Sequence, residues 1–483
     1  MRPVPAFHVK PLSELLHDAD NAPLKRALGP LNLTTLGIGS IIGTGIFVLT
    51  GTAASQHAGP ALVLSMIIAA VGCVFAGLCY SELAAMIPVA GSAYTYAYAT
   101  TGELFAWIIG WDLILEYALS CSTVAVGWAG YASSLMRDLG MPIPAALAAA
   151  PGVPIAMANG VAGHGIVNLP AMVIVLLVTT LLALGIKKSA NTNTVLVLVK
   201  VVVLVAFVIA GASYVRRANL TPFIPPNTGE FGHFGFSGVL RGAGVMFFAY
   251  IGFDAVSTAA QESKNPQRDL PIGILASLAI CTVIFIAVAI VLIGIVPYGR
   301  LNVADPLAVG IDATGLTWLR PLVKIGAVLG LFSTILVQMI GQTRIFYSMS
   351  RDGLLPEVFG RVHPRYRTPH VSTLLTGTVC ALVAGFTPIN VLSELVSMGT
   401  LLAFVLVCIG IVVLRRTNPD TPRPFRTPGL PWVAIAGAVI CLAQMLALPL
   451  PTWERLVIWL VIGMAVYIGY GRKGAARRRL MPR

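Results

Sequence analysis

The sequence predicts an all-α polytopic membrane protein of about twelve transmembrane helices, and three observations carry that reading. Of its 483 residues, 57% are hydrophobic and only 11% charged, with a mean hydropathy of +0.85, a balance that a water-facing surface does not tolerate. Apolar runs of the ~20 residues needed to cross a ~30 Å hydrocarbon core recur along almost the whole chain. Two of these runs are broken by glycine, at Gly39-Ser40-Ile41-Ile42-Gly43-Thr44-Gly45-Ile46-Phe47 and at Phe247-Phe248-Ala249-Tyr250-Ile251-Gly252-Phe253-Asp254. Unpaired backbone groups in hydrocarbon cost several kcal/mol each, so a helix stays broken at mid-depth where the freed groups face protein, water or a polar ligand. One break in each half points to a transporter site.

The apolar runs cover 33–56, 61–87, 104–135, 166–186, 194–214, 238–261, 272–296, 319–347, 371–386, 389–414, 432–448 and 456–470. The breaks fall in the first and sixth runs, which suggests two inverted repeats of five helices, 31–214 and 215–414. The last two runs, within 415–470, read as accessory helices for dimerisation or lipid contact, flanked by tails at 1–30 and 471–483. No long polar linker divides the chain. The Pro- and Ala-rich stretch 141–158 reads as its least ordered interior part, and the linker 219–236, rich in Pro, Gly and Phe, has the composition of a mobile gating element.

The formal charge of +13 is a matter of placement. Loops assigned by the alternating crossings to one side, together with both tails, carry 23 Lys and Arg, against six on the other side. By the positive-inside rule both termini are cytoplasmic, and the partner of the basic excess is anionic lipid rather than nucleic acid; the expected location is the inner (plasma) membrane of the cell. The seven cysteines all lie in apolar runs without CxxC spacing. The seven histidines are scattered over tails and loops, and neither HExxH nor GxSxG occurs, so neither an enzyme nor a metal or cofactor site is expected.

At the first break, Gly43 and Gly45 permit backbone geometry closed to other residues, and the half-helix beyond presents its N-terminal amides as a carboxylate cradle. The GxxxG spacing of Gly39 and Gly43 also allows simple close packing of another helix, but the matching second break favours the cradle. At the second break, carbonyls freed around Phe248–Gly252 suit an ammonium group, so the two breaks together fit an amino acid zwitterion. Asp254 is either a helix N-cap or a proton-linked or gating group. Lys200, the one lysine of its apolar run, either snorkels to the cytoplasmic face or points into the bundle. There it could exchange a proton, or its ammonium could fill the space of a bound sodium ion. Glu116 reads as a proton relay or a polar tie between helices, with Asp112 one turn earlier on the same face. Ser333 and Thr334 could offer hydroxyls to Lys200, Phe248 and Phe253 flank the break as candidate gates, and 88–96 reads as an interfacial tyrosine-belt segment without substrate contact.

These residues lie in stretches that resemble the amino acid-polyamine-organocation superfamily, most closely its bacterial cationic amino acid transporter-like members. The stretches are 39–47, 81–96 (SELAAMIPVAGSAYTY), 102–117 (GELFAWIIGWDLILEY), 247–271 (FFAYIGFDAVSTAAQESKNPQRDLP) and 341–356 (GQTRIFYSMSRDGLLP). The resemblance implies a LeuT-like fold, a 5+5 inverted repeat with two additional C-terminal helices, and proton-coupled import of cationic or small neutral amino acids by alternating access; an amino acid or polyamine exchanger of the same fold and a nontransporting amino acid receptor are the competing readings. It implies substrate contacts at Ile41, Gly43, Thr44, Gly45, Phe248, Ala249 and Ile251, with Phe248 at the aromatic gate. Lys200 resembles the lysine that replaces sodium in proton-coupled relatives, and Asp254 falls where some relatives carry a protonation-linked acid. The implied partners are an amino acid, protons and membrane lipid; a small single-span membrane partner is left open. Stretch 141–158 is the weaker match to the family.

Overall fold

The computed structural model describes residues 9–11, 26–89, 91–156, 162–185, 190–364 and 368–479. Most of the predicted tail 1–30, Lys187, Lys188, Ala158 and the last four residues of the basic tail lie outside the described residues. Each apolar run carries helix, interrupted at the two glycine breaks: α1 (Pro30–Ile41), α2 (45–58), α3 (Leu62–Met86), α4 (Ser92–Thr100), α5 (Glu103–Asp138), α6 (Leu169–Ala183), α7 (Ala190–Gly211) and α8 (Gly235–Met246) form the first part of the chain. There follow α9 (Ala255–Thr258), α10 (Pro266–Ile295), α11 (Pro306–Asp312), α12 (Leu319–Arg351), α13 (His370–Phe386), α14 (Ile389–Thr417), α15 (Trp432–Ala447) and α16 (Leu450–Arg479). Among the described residues, eight helical segments are long and apolar enough to cross a membrane, and α6, α13 and α15 are shorter apolar helices.

Local sequence sets several helix starts. Asn168 caps α6 by accepting the Ala171 amide at 3.2 Å, with a proline in the first turn. The Asn265 amide donates to Asp269 at 3.2 Å, and Pro266 opens α10 with its φ already helical. The pattern of burial is that of a bundle in lipid. Val195, Leu198 and Ile209 on α7, or Val457, Ile458 and Val461 on α16, are exposed, while Lys200, Asp254, Glu116 and Gln342 are buried. At the centre, α10 packs against α1 and α3, and α12 runs along α5. Farther out, α13 lies on α6 and α14 on α15.

Both ends of the bundle are held by polar contacts. At one end the Lys10 amide donates to the Tyr98 carbonyl at 3.0 Å, and Arg479 reaches the Tyr98 hydroxyl at 3.1 Å while pairing with Glu103. The segments next to the two termini therefore meet at the same end. At the opposite end Asp138 pairs with Lys324 at 2.6 Å and with Arg320 at 3.2 Å, and Arg320 also pairs with Asp312 at 2.9 Å.

Two expectations need correction. The described part of 141–158 is folded: β1 (Pro154–Ala156) pairs antiparallel with β2 (Ala162–His164), and the Asn168 amide donates to Gly385 at 2.9 Å. The ladder supplies the backbone partners that composition alone does not reveal. The segment 88–96 is no interfacial belt. It leads into α4, every residue of which is buried, and Tyr94 donates to Asp352 at 2.7 Å inside the protein.

Glu82 of α3 is fully buried and accepts from Arg415 at 2.9 and 2.7 Å and from the Thr427 amide at 2.7 Å, with Arg423 at 3.3 Å. It thus joins α3, α14 and the chain leading to α15. Removing one partner of such a network leaves the others unpaired. Glu82→Ala is expected to lower unfolding stability in detergent by roughly 3 kcal/mol. Arg416→Ala, at an exposed neighbouring position, should change it by less than ~0.5 kcal/mol in the same denaturation experiment.

Candidate functional site

Helix α1 ends because Ile42 leaves helical geometry, with ψ at 94°. Helical geometry resumes at Thr44 and Gly45, so carbonyls at the end of α1 lose their intrahelical partners. Lys200 of α7 takes their place. Its Nζ donates to Gly39 O at 2.5 Å, to Ile42 O at 2.9 Å and to Thr334 Oγ1 at 3.2 Å. An ammonium carries three donors, and the partial negative charge at a helix C-terminus favours a cation there. Lys200 is fully buried, so the snorkelling alternative is overturned. Thr334 also lies 3.3 and 3.1 Å from the same two carbonyls. Ser333, the other hydroxyl considered for Lys200, instead donates to Gly330 of its own helix at 2.7 Å.

At the second break α8 gives way to a tight turn over Phe247–Tyr250, Ile251 becomes extended, and Gly252 adopts a φ of +116°. Only glycine takes that conformation without strain, and a Cβ there would also lie 2.5 Å from Ser40 Oγ. Across the other side, a Cβ on Gly45 would strike the Ala249 backbone. The two broken segments therefore touch backbone to backbone. Ile41, Gly43, Thr44, Gly45, Phe248, Ala249 and Ile251 are all buried at this junction. Thr44 turns its hydroxyl toward Val124 O of α5, at 3.4 Å. Phe253 is packed against Tyr80 and Phe404, with ring centroids 5.8 and 5.0 Å away.

Asp254 does not cap α9, since its side chain makes no cap hydrogen bond. Its Oδ2 instead accepts from Ser92 of α4 at 3.2 Å and from the Tyr117 hydroxyl in a short bond. Tyr80 extends this chain to Ser92 at 3.2 Å, and the Glu116 carboxyl adjoins that of Asp254. Ser92, Tyr117 and Tyr80 escaped the reading of the sequence. Tyr117 follows Glu116 directly, and neighbours on a regular helix diverge in direction. Here α5 widens into a π-turn over Leu115–Leu119, a distortion that spacing does not announce and that often marks functional sites. Asp112 is buried against Gly399 of α14, and neither of its carboxylate oxygens has a hydrogen bond among the described residues.

The junction is enclosed at both ends. Toward the end near the termini, the Ala27 and Leu28 amides donate to Glu262 O, both at 2.9 Å, and Arg344 pairs with Glu262 at 2.8 Å. Toward the other end, Tyr131 donates to Phe47 O at 2.7 Å and accepts the Leu307 amide at 3.3 Å, which ties α2 to the small helix α11.

A family model described as "Amino acid permease" matches residues 28–469, a span that includes both breaks and Lys200. The chain belongs to the amino acid permease family. Its relatives include the branched-chain amino acid permease BcaP of Bacillus subtilis, 47% identical over 93% of this chain and 94% of the relative. The methylthioribose transporter of the same organism is 46% identical over 97% of this chain and 98% of its own. The vacuolar cationic amino acid transporter 4 of Arabidopsis thaliana is 38% identical over 82% of this chain and 64% of its own. The permease is thus a multi-pass membrane transporter of amino acids and not an enzyme.

The contact between the breaks has a direct test. Gly45→Val forces side-chain atoms into the Ala249 backbone and is expected to cut transport at least ten-fold and stability by roughly 1–3 kcal/mol. At Gly43 an added methyl meets the Thr334 methyl at 3.2 Å, with Thr334 Oγ1 and Ile41 O at 3.8 and 3.9 Å. Gly43→Ala should therefore melt within a few degrees of the unmodified permease when both are followed by thermal denaturation.

Proposed function

We propose that this permease imports neutral L-amino acids, small or branched-chain, together with protons across the plasma membrane. The observation that carries the proposal is the three-oxygen grip of Lys200 on the first break. A protonated Lys200 holds the end of α1; once deprotonated it loses a donor and the charge that matches the helix terminus, which frees α1 to move. The carboxylate of the substrate lies at the first amides of the segment beginning at Gly43, Thr44 and Gly45, and its ammonium at the carbonyls of Phe248, Ala249 and Ile251. Phe248 closes over the substrate, and Phe253 is the second aromatic flanking the break, packed on Phe404. The adjoining carboxyl groups of Asp254 and Glu116 form the second place where a proton is held within the bundle.

Neutral substrates are favoured over cationic ones because Asp254 is engaged by Ser92 and Tyr117 rather than left open to a substrate cation. The 47% identity to a branched-chain permease supports the same choice. In this reading the core is ten helices in two inverted repeats of five, the last two helices are accessory, and both termini are cytoplasmic. The site then opens alternately as the contacts around Glu262 or those around Tyr131 separate.

Reconstituted into liposomes, the permease should accumulate alanine or leucine when an inward proton gradient is imposed, and should transport arginine at least ten-fold more slowly. Lys200→Met should abolish the response to the gradient while the protein remains folded. Asp254→Asn and Glu116→Gln should flatten the pH dependence of uptake. Uptake that ignores the gradient but requires amino acid inside the vesicles would replace proton coupling with exchange.

A further inference from the structure

The end of α12, the turn that follows it and the last turns of α16 enclose a cavity of about 590 Å³. Its charged lining is one-sided, with Arg351, Arg361, Lys473, Arg477 and Arg478 set against Glu357. Four other cations at this end have carboxylate partners: Lys10 has Asp352, Arg344 has Glu262, Arg415 has Glu82 and Arg479 has Glu103. Among the described residues, none of the five cavity cations forms an ion pair, and Arg351 rests over the Tyr347 ring at 5.9 Å. Five like charges around one hollow repel each other, and an anion placed there relieves the repulsion.

The cavity is also structurally fixed. A Cβ on Gly353 would lie 2.8 Å from the Gly474 carbonyl, so the turn after α12 and the tail of α16 meet through bare backbone. That contact ties the helical turn carrying Lys473 and Arg477 to the turn after α12, so that they line the same cavity as Arg361. The same helix supplies a path for acyl chains. Val457, Ile458, Val461 and Ile468 are exposed along α16, and Tyr470, itself 42% exposed, lines the cavity. Aromatic residues at such a position mark the level of the lipid headgroups.

We infer that this cavity binds the phosphate headgroup of an anionic phospholipid whose acyl chains lie along the apolar face of α16. A free phosphate would satisfy the charges but make no use of that face. The inference is independent of which amino acid the permease carries.

The test uses the full-length permease in neutral detergent, titrated with phosphatidylglycerol or phosphatidylcholine and read by native mass spectrometry alongside thermal melting. Phosphatidylglycerol should be retained at least ten-fold better and should raise the melting temperature. Removing two of the cations in Lys473→Ala/Arg477→Ala should weaken retention roughly ten- to thirty-fold. Lys473→Gln/Arg477→Gln, which keeps side-chain length along the helix, should show the same loss. Arg416→Ala, outside the cavity, should leave retention unchanged. Equal retention of the two lipids, or unchanged retention in both double variants, would overturn the site. Displacement of phosphatidylglycerol by millimolar inorganic phosphate would overturn the lipid as its occupant.

Discussion

The rest of this structure depends on the break in the first helix and on the lysine that completes it. Ending α1 inside the bundle frees buried carbonyls from their intrahelical partners, and a buried ammonium is likewise costly unless it is paired. Each compensates the other: Gly39 and Ile42 present oxygens, and Lys200 presents donors and charge. Neither group fits its surroundings alone. Thr334 joins the same cluster and so couples α12 to the junction between α1 and α7.

The second break is positioned by contact with the first. Gly45 meets the Ala249 backbone, and Gly252 meets the backbone and hydroxyl of Ser40, so displacement of one segment is felt directly by the other. The acidic chemistry lies on the far side of the second break, where Asp254 receives hydrogen bonds from α4 and from the widened turn of α5. Two helices thus converge on a group that sequence position alone would assign to the start of a short helix.

Much of the fold was legible beforehand because a bilayer imposes a simple rule on composition. Apolar length marks the helices, and every run read from the sequence carries one. The glycine breaks were legible for the same reason, since polar backbone at mid-depth needs a partner. The partners themselves were less so. The sequence left Lys200 free to snorkel and weighed Ser333 beside Thr334; the difference is the rotation of α7 and α12 about their axes, which a nearly uniform apolar run does not encode. The tyrosines of 88–96 were misplaced because a belt and a buried polar helix have the same composition.

What the sequence by itself determined is therefore the membrane class, the helical runs, the two breaks and the set of intramembrane polar residues, all consequences of the cost of polarity in hydrocarbon. Its resemblance to other permeases identified the family. Only the tertiary structure decided which of those polar residues meet: Lys200 with the end of α1, Asp254 with Ser92, Tyr117 and Glu116, and the basic turns that surround one cavity. Such pairings depend on helix rotation, on a π-turn and on backbone contacts between distant glycines, and these are properties of packed helices rather than of any single stretch of chain.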